Sequence, residues 1–466
     1  MARVLTRRRF LKSSAASTAV AFAAPAVLSA RSPNSKVNVA CIGVGGRGRA
    51  HVRGASEENI VALVDVDANT LAGQAKAFPK AETFSDYRRM YDKMGRHIDA
   101  VSVATPDHNH ACAAMMAIKL GKHVYCEKPM TWSVAEARAL TEAARKYKVV
   151  TQMGNQGHCQ TGYRVLCEWI QAGAIGKVLE THSWTNRPVW AQGIAKRPPK
   201  EPVPEGLNWD CWIGPAPYRD YHKHLHPFGW RGWLDFGGGA LGDMACHIMD
   251  GTFWANRLGY PTSVTLVDSA PLNEQTFPNS THVMWEFPER AKGKGDKIDR
   301  PAMNVHWWDG GKPTGKVNKR GRPILQQRRP PLVAELEKKH NRRLGNCGTV
   351  YVGEKGTMYT STYGSGVGIL EKELNEAFKK IAPKGVLPKP LGDSFGDFYA
   401  SIKAAKPAYS NFDYAGPFTE TILMGNLSLR AGVGRKVLWD GRNMKVTNIP
   451  ELNQHIGRKY RKGWTL

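Results

Sequence analysis

The residues best placed to do chemistry sit in Phe236-Gly-Gly-Gly-Ala-Leu-Gly-Asp243-Met-Ala-Cys-His247-Ile-Met-Asp250. Asp243 and His247 are four apart, so on a helix they share one face. A carboxylate one turn from an imidazole can fix its tautomer and raise its basicity, as general acid–base work requires. The same pair also fits an aspartate capping a helix start beside a core histidine. A third group, Lys128 in Glu127-Lys128-Pro129, follows a short apolar run. It is either a proton-transfer lysine or a solvated charge at a strand end.

The elements that would position these groups start with Val37 to Ile42, a short buried strand. It is followed by Gly43-Val-Gly45-Gly46-Arg47-Gly48 and a helical stretch. Between a strand and a helix, such glycines allow a tight turn and let backbone N–H groups approach a pyrophosphate. A second strand, Ile60 to Val64, ends at Asp65. A carboxylate there can accept both ribose hydroxyls and repels a 2′-phosphate, which favours NAD over NADP. Arg47 either helps a phosphate or is solvated. Further strands at Ala100 to Ala104, His123 to Cys126 and Val149 to Met153, with a helix over about Ala111 to Leu120, predict a doubly wound parallel sheet. Ligands bind at the carboxyl ends of such strands. That rule draws attention to Thr105-Pro106-Asp107-His108-Asn109-His110 and to Glu127-Lys128-Pro129, with Thr105, Pro106, His110, Glu127 and Lys128 as the expected neighbours of a bound nicotinamide.

From about Gly157 the pattern changes to short strands, loops and many tryptophans, which predicts an α+β domain on an antiparallel sheet. Aromatic faces bind sugar rings, and histidine or arginine binds hydroxyls. Most of the tryptophans between 182 and 233 are read as packing. Trp184, Trp230 and Arg231 are the candidates for a substrate pocket.

The 466 residues exceed one ordinary core, so two domains are expected. The net charge is +26. Part of it sits at the start, where Thr6-Arg7-Arg8-Arg9-Phe10-Leu11-Lys12, an apolar run to Leu28 and Ser29-Ala30 describe a twin-arginine export signal over 1–30. The expected location is periplasmic or cell-envelope. No later segment is apolar enough to cross a bilayer. Residues 290–343 hold 16 Lys and Arg against 5 Asp and Glu. They read as a basic insertion, a solvated loop by default. Lys319-Arg-Gly-Arg322 and Arg328-Arg329 would be its contacts for acidic polysaccharide; nucleic acid is not an expected partner of an exported chain. A basic tail covers 451–466. The eight cysteines are scattered, without C-x-x-C or zinc spacing, so buried free thiols and no metal are expected.

Taken together, the glycine loop, Ala104-Thr105-Pro106, Glu127-Lys128-Pro129, Gly239-Ala-Leu-Gly-Asp243-x-x-x-His247 and Gly353-Glu-Lys-Gly-Thr357 resemble the Gfo/Idh/MocA oxidoreductases. The resemblance implies an N-terminal Rossmann domain over 36–157. It further implies a C-terminal domain over 158–450 on a large, open, mostly antiparallel sheet, often an oligomer interface. Lys128 and His247 would then exchange the proton of a substrate hydroxyl while Asp243 orients His247, and the hydride would pass to NAD. Many members continue with an Asn-x-Arg-Phe run after the last Rossmann strand. This chain has Gly154-Asn155-Gln156-Gly157-His158, so Asn155 is expected at the cofactor and Gln156 and His158 at the substrate. The implied activity is NAD-dependent oxidation of a hydroxyl on a sugar, polyol or glycoside, with bound and recycled cofactor. The alternative is a redox-neutral, NAD-dependent glycosidase that uses the same residues.

Overall fold

The computed structural model describes residues 35–293, 296–318 and 323–466. The expected export signal over 1–30 and the run Lys319 to Arg322 lie outside the described residues. In the first half β1 (Asn38–Ile42), α1 (Gly48–Gly54), β2 (Asn59–Val64), α2 (Ala68–Ala75), β3 (Glu82–Phe84), α3 (Tyr87–Met94), β4 (Ala100–Val103), α4 (Asp107–Lys119), β5 (His123–Cys126), α5 (Val134–Tyr147) and β6 (Thr151–Met153) alternate. The six strands run parallel in the order β3-β2-β1-β4-β5-β6. Strand order reverses between β1 and β4, which opens a crevice at their carboxyl ends. Strands β1, β4 and β5 are covered on both faces, hence their unbroken apolar runs. Helix α4 begins four residues before the position the apolar pattern predicts. Pro106, at φ −58° and ψ 151°, caps it, and Asp107 fills its first turn.

The second half contains α6 (Thr161–Gln171), β7 (Val178–Trp184), α7 (Trp209–Ile213), α8 (Gly239–Ile248), α9 (Asp250–Ala255), β8 (Ser263–Ser269), β9 (Ser280–Phe287), β10 (Met303–Val317), β11 (Pro323–Gln327) and α10 (Pro331–His340). It continues through β12 (Gly348–Gly353), β13 (Thr357–Ser361), β14 (Gly368–Ile369), α11 (Lys372–Ile381), α12 (Ser394–Lys403), α13 (Phe412–Ala431), β15 (Lys436–Asp440) and β16 (Lys445–Val446). The ten-stranded sheet follows β14-β13-β12-β7-β10-β9-β8-β15-β16, with β11 beside β10. Only the β7–β10 pair is parallel. Along β9, Val283, Trp285 and Phe287 are buried while Met284 and Glu286 are half-buried, the period of two that gives a sheet its two faces. The indole of Trp285 donates to the Thr421 carbonyl of α13 (2.9 Å), which fixes that helix to the inner face.

Three expectations change. Residues 290–343 are not a loop: they supply the central strand β10, its partner β11 and helix α10. Arg328 pairs with Asp268 at 2.5 Å and Arg329 with Glu337 at 2.7 Å, so neither stands free for a polyanion. The domains also exchange elements. Helix α12 returns to the first sheet, where Phe398, Tyr399 and Ile402 pack with Val39, Cys41 and Leu63. The basic tail is pinned as well. Arg458 binds the buried Glu136 at 2.9 Å and lies over Trp132, and Trp464 packs on Tyr87. A 466-residue chain covers an exposed sheet face with whatever segment is apolar, whatever its distance in sequence.

Seven of the eight cysteines are buried, Cys347 is half-buried, and all eight are unpaired. On the outer sheet face His182 and His306 stack at 4.4 Å, with Glu180 at 3.4 Å. The Nδ1 atom of His182 accepts from the Trp308 indole (3.3 Å), and that of His306 lies 3.0 Å from His282 Nε2. Among the described residues no helix is long and apolar enough to cross a membrane.

Phe398 is fully buried against the first sheet. Phe398→Ala is expected to lower stability by about 3–5 kcal/mol, read by urea denaturation. A loss below about 1 kcal/mol would mean that α12 does not help hold the first domain together.

Candidate active site

A cavity of about 740 Å³ lies at the switch point between β1 and β4 and runs from the glycine loop to α8. The loop is built by sterics. A Cβ on Gly43 (φ +78°) would sit 2.7 Å from the Ala104 carbonyl oxygen, and one on Gly48 would meet Gly43 O at 1.8 Å. In front of Gly46 there is open space. Asp65, at the end of β2, accepts from the N–H groups of Val44 (2.9 Å), Gly45 (3.1 Å) and Asp67 (3.0 Å). It therefore braces the loop as well as lining the cavity. Burial raises its pKa against those three bonds.

Segment 185–238 leaves β7 and crosses back over the first domain. Ala68 N–H donates to Gly206 O (3.0 Å), and Asn208 N–H donates to Val66 O (2.8 Å). The His108 ring sits 2.8 Å from Trp212 O. These bonds bracket Asp65 and make the tryptophan-rich stretch one wall of the cleft. Its own core is Trp209, Trp212, Trp233 and Phe236. Packing is thus the role of most of these rings, while Trp230 also lines the cavity.

At the other end Lys128 Nζ donates to Asp243 Oδ1 (2.9 Å) and to the Asp243 carbonyl (2.8 Å). An ammonium has three donors, so one remains. Arg231 Nε lies 3.3 Å and Arg187 Nε 3.8 Å from the same carboxylate. Burial alone would raise the Asp243 pKa, but Lys128, Arg231 and Arg187 hold it well below the usual carboxylate range. The sequence pairs Asp243 with His247; the structure pairs it with Lys128. Helical spacing places two residues on one face but does not choose their partners, and a cation from the other domain outbids a neutral ring.

His247 lines the same cavity, and its Nδ1 is buried without a partner. Burial, then the nearby Lys128, lowers its pKa to about 3, so it is a neutral imidazole. Glu127 accepts from Arg47 Nε (2.7 Å) and from the Lys128 N–H (3.1 Å), with the His51 ring at 2.9 Å. Burial would raise its pKa, but His51, Arg47 and Lys128 pull it below the carboxylate range. His110 bridges the carbonyls of Pro129 and Thr105, each at 2.8 Å, and so ties two strand ends together.

Of the residues predicted from sequence, Gly43, Gly45, Gly46, Arg47, Asp65, Thr105, Pro106, His110, Glu127, Lys128, Gln156, Trp230, Arg231, Asp243 and His247 share the cavity wall. Gly48 supports the turn from behind. Three lie elsewhere. Asn155 and His158 are buried against Asp250 (3.2 and 3.0 Å), and His158 is sandwiched between Trp254 and Tyr414. Trp184 is fully buried with Tyr359, and its indole donates to Gly345 O. Asp107, inside the run Thr105 to His110 that the strand end selects, holds Arg231 at 3.1 Å and accepts from the Gly238 N–H at 3.0 Å. The sequence reading missed His51, Arg187 and Tyr363. None of these three stands in a motif; only the tertiary fold brings them in.

The cradle fits a dinucleotide. Its glycines leave no room for side chains at Gly43 and Gly48, space is open before Gly46, and the buried Thr105 hydroxyl has no partner. A glycine loop, a carboxylate at the end of β2, and a lysine with a histidine at the far end define a nicotinamide-dependent oxidoreductase. The comparisons agree. Residues 37–155 match the oxidoreductase family NAD-binding Rossmann fold, and residues 170–270 match that family's C-terminal alpha/beta domain. The chain belongs to the Gfo/Idh/MocA oxidoreductase family, and its cofactor is NAD. It is 27% identical over 188 residues to a levoglucosan dehydrogenase of Pseudarthrobacter phenanthrenivorans, 40% of each chain. It is 34% identical over 152 residues to inositol 2-dehydrogenase 3 of Saccharopolyspora erythraea, 31% of this chain and 44% of that one. The matched stretch thus spans about two-fifths of the length of these curated relatives. The fold resembles that of the WlbA dehydrogenase of Bordetella pertussis, solved with NADH and UDP-GlcNAcA (TM-score 0.57, 15% identity, 87% of this chain, 99% of that one). It also resembles a levoglucosan dehydrogenase solved with NADH and levoglucosan (TM-score 0.53, 18% identity, 87% and 99%).

Burial also lowers the pKa values of His108 and His282 to about 3 and of His123 and His306 to about 4. With His247, five histidines stay neutral in the folded state below pH 6.5 while their unfolded counterparts take up protons. Stability is therefore expected to fall as pH drops from about 6.5 toward 4, by up to about 1.4 kcal/mol per pH unit for each histidine. Urea denaturation across that range checks this. His247→Asn should remove about one proton from the slope; an unchanged slope would refute the neutral assignment.

Proposed function

We propose that the protein is an NAD-dependent oxidoreductase acting on a hydroxyl of a sugar, polyol or glycoside. The supporting observation is the placement of Lys128 and the neutral His247 on one wall of a cleft whose other end is the glycine loop. Bound NAD supplies the hydride acceptor. The remaining Lys128 N–H donates to the substrate oxygen and stabilises the charge that develops there, while Asp243 keeps the ammonium aimed. His247, neutral but a weak base at its lowered pKa, takes up the hydroxyl proton once Lys128 has polarised the hydroxyl. Arg231 and Asp107 lock the Asp243 carboxylate to the first domain.

In this reading the cofactor stays bound and is recycled. The bonds from Gly206 and Asn208 across Val66 and Ala68 close the cleft beside Asp65, which supports slow release. Retention also suits the export that Arg7-Arg8-Arg9-Phe10 implies, because a twin-arginine substrate crosses folded. The outer face of the ten-stranded sheet, where Val267 and Leu438 are exposed, is proposed to pair with a second copy of the chain.

Two outcomes are expected. Protein purified without added cofactor and then denatured should release NAD, identified by mass spectrometry; released NADP or no dinucleotide would count against the reading. Lys128→Ala and His247→Ala should each lower kcat by about 100-fold or more while keeping the circular dichroism and the bound dinucleotide. Full turnover in both variants would falsify the site. Product analysis separates the two chemistries: an oxidised sugar with reduced cofactor marks an oxidoreductase. A hydrolysed glycoside with unchanged NAD marks the redox-neutral glycosidase, which the same residues can serve.

A further inference from the structure

The acid–base centre is not electrically balanced. Its cations are Lys128, Arg231 and Arg187; its carboxylates are Asp243 and Asp107. Glu127 does not change the count, because its charge is offset by Arg47, which it holds at 2.7 Å. His247 is neutral. One positive charge is therefore left over.

That charge is carried by Arg187. Lys128 makes two short bonds to Asp243, and Arg231 divides its guanidinium between Asp107 at 3.1 Å and Asp243 at 3.3 Å, with its plane over Trp230 at 4.3 Å. Arg187 Nε is 3.8 Å from Asp243 Oδ2, too far for a hydrogen bond, and its Nη1 donates only to the neutral amide oxygen of Asn186. It lines the cavity, and its side chain is 31% exposed. Its backbone is not loose: Gly310 N–H donates to the Arg187 carbonyl at 2.6 Å. A guanidinium fixed in a cleft with unused donors costs desolvation once substrate expels water, unless the substrate brings an anion. Its planar fork takes a carboxylate or a phosphate alike, but a single surplus positive charge is matched by a monoanionic carboxylate, whereas a sugar phosphate brings closer to two negative charges.

We infer that the substrate is a carboxylate-bearing sugar, a uronate or aldonate, whose carboxylate pairs with Arg187 while a hydroxyl of the same molecule meets Lys128 and His247. This rests on the oxidoreductase reading above and narrows it. A neutral sugar would leave Arg187 unpaired in a closing cleft, so the arginine selects by penalty as well as by attraction.

The test uses the full chain loaded with NAD and matched sets: glucose, glucuronate and glucose 6-phosphate, the galactose series, and their methyl glycosides. Turnover is followed by cofactor reduction and product analysis, and binding by calorimetry. The carboxylate member of each set should be preferred by about 10–100-fold in kcat/KM and in affinity, the worth of one charged hydrogen-bonded pair. Arg187→Met should cut that preference at least about tenfold, mainly through KM, and Arg187→Lys should restore part of it. Equal use of neutral sugars, preference for phosphates, or a carboxylate preference untouched by Arg187→Met would each overturn the inference. Carboxylate sugars that bind in an Arg187-dependent way without turnover would uphold the inference and sink the oxidoreductase reading. Neutral sugars turned over without preference would do the reverse.

Discussion

Everything at this site depends on one buried carboxylate. Asp243 collects Lys128 from the end of β5, Arg231 from the tryptophan-rich segment and Arg187 from the exit of β7. Three cations converging on one anion settle its ionisation despite burial. They also fix the relation of the two domains, because Lys128 belongs to the first sheet and Asp243 to a helix of the second. Arg231 extends the network back to Asp107 at the start of α4. Lys128 is thus positioned by an interdomain ion cluster, and the placement of its ammonium and the closure of the cleft are one constraint.

The first domain was largely legible in the sequence. Its strands are buried on both faces, so they appear as continuous apolar runs ending in glycine or polar residues, and all the predicted strands lie where expected to within a residue or two. The glycine loop was legible for the same reason, since backbone approach at Gly43 and Gly48 excludes every side chain. The start of α4 was not, because Asp107 to His110 are polar yet buried by contacts with a distant segment. Polarity in a sequence says that a group needs partners, not where they come from.

In the second domain the same limit governs the errors. Residues 290–343 read as loop because charge dominates them, but Met303, Val305 and Trp307 alternate inward along β10 and place it at the centre of the sheet. Asn155 and His158 follow β6 as a cofactor residue and a substrate residue would, but Asp250 captures both: a fully buried carboxylate needs every donor within reach. Trp184 was separated from its neighbour Arg187 by the pleat of β7 and the turn that follows. The first points into a core with Tyr359, the second into the cleft. Composition marked that stretch as unusual, but only backbone direction could divide it.

The net charge of +26 takes on a different meaning once it is located. Arg458 binds Glu136 and Arg328 binds Asp268, so some of the basic residues staple segments that are remote in sequence. The α12 helix and the tail return to the first domain, and segment 185–238 lies across its cleft. Opening that cleft would have to break contacts far apart in sequence at the same time, which costs more than the motion of a single hinge. The basic residues thus act at a distance, by holding together the domains between which Lys128 and His247 lie.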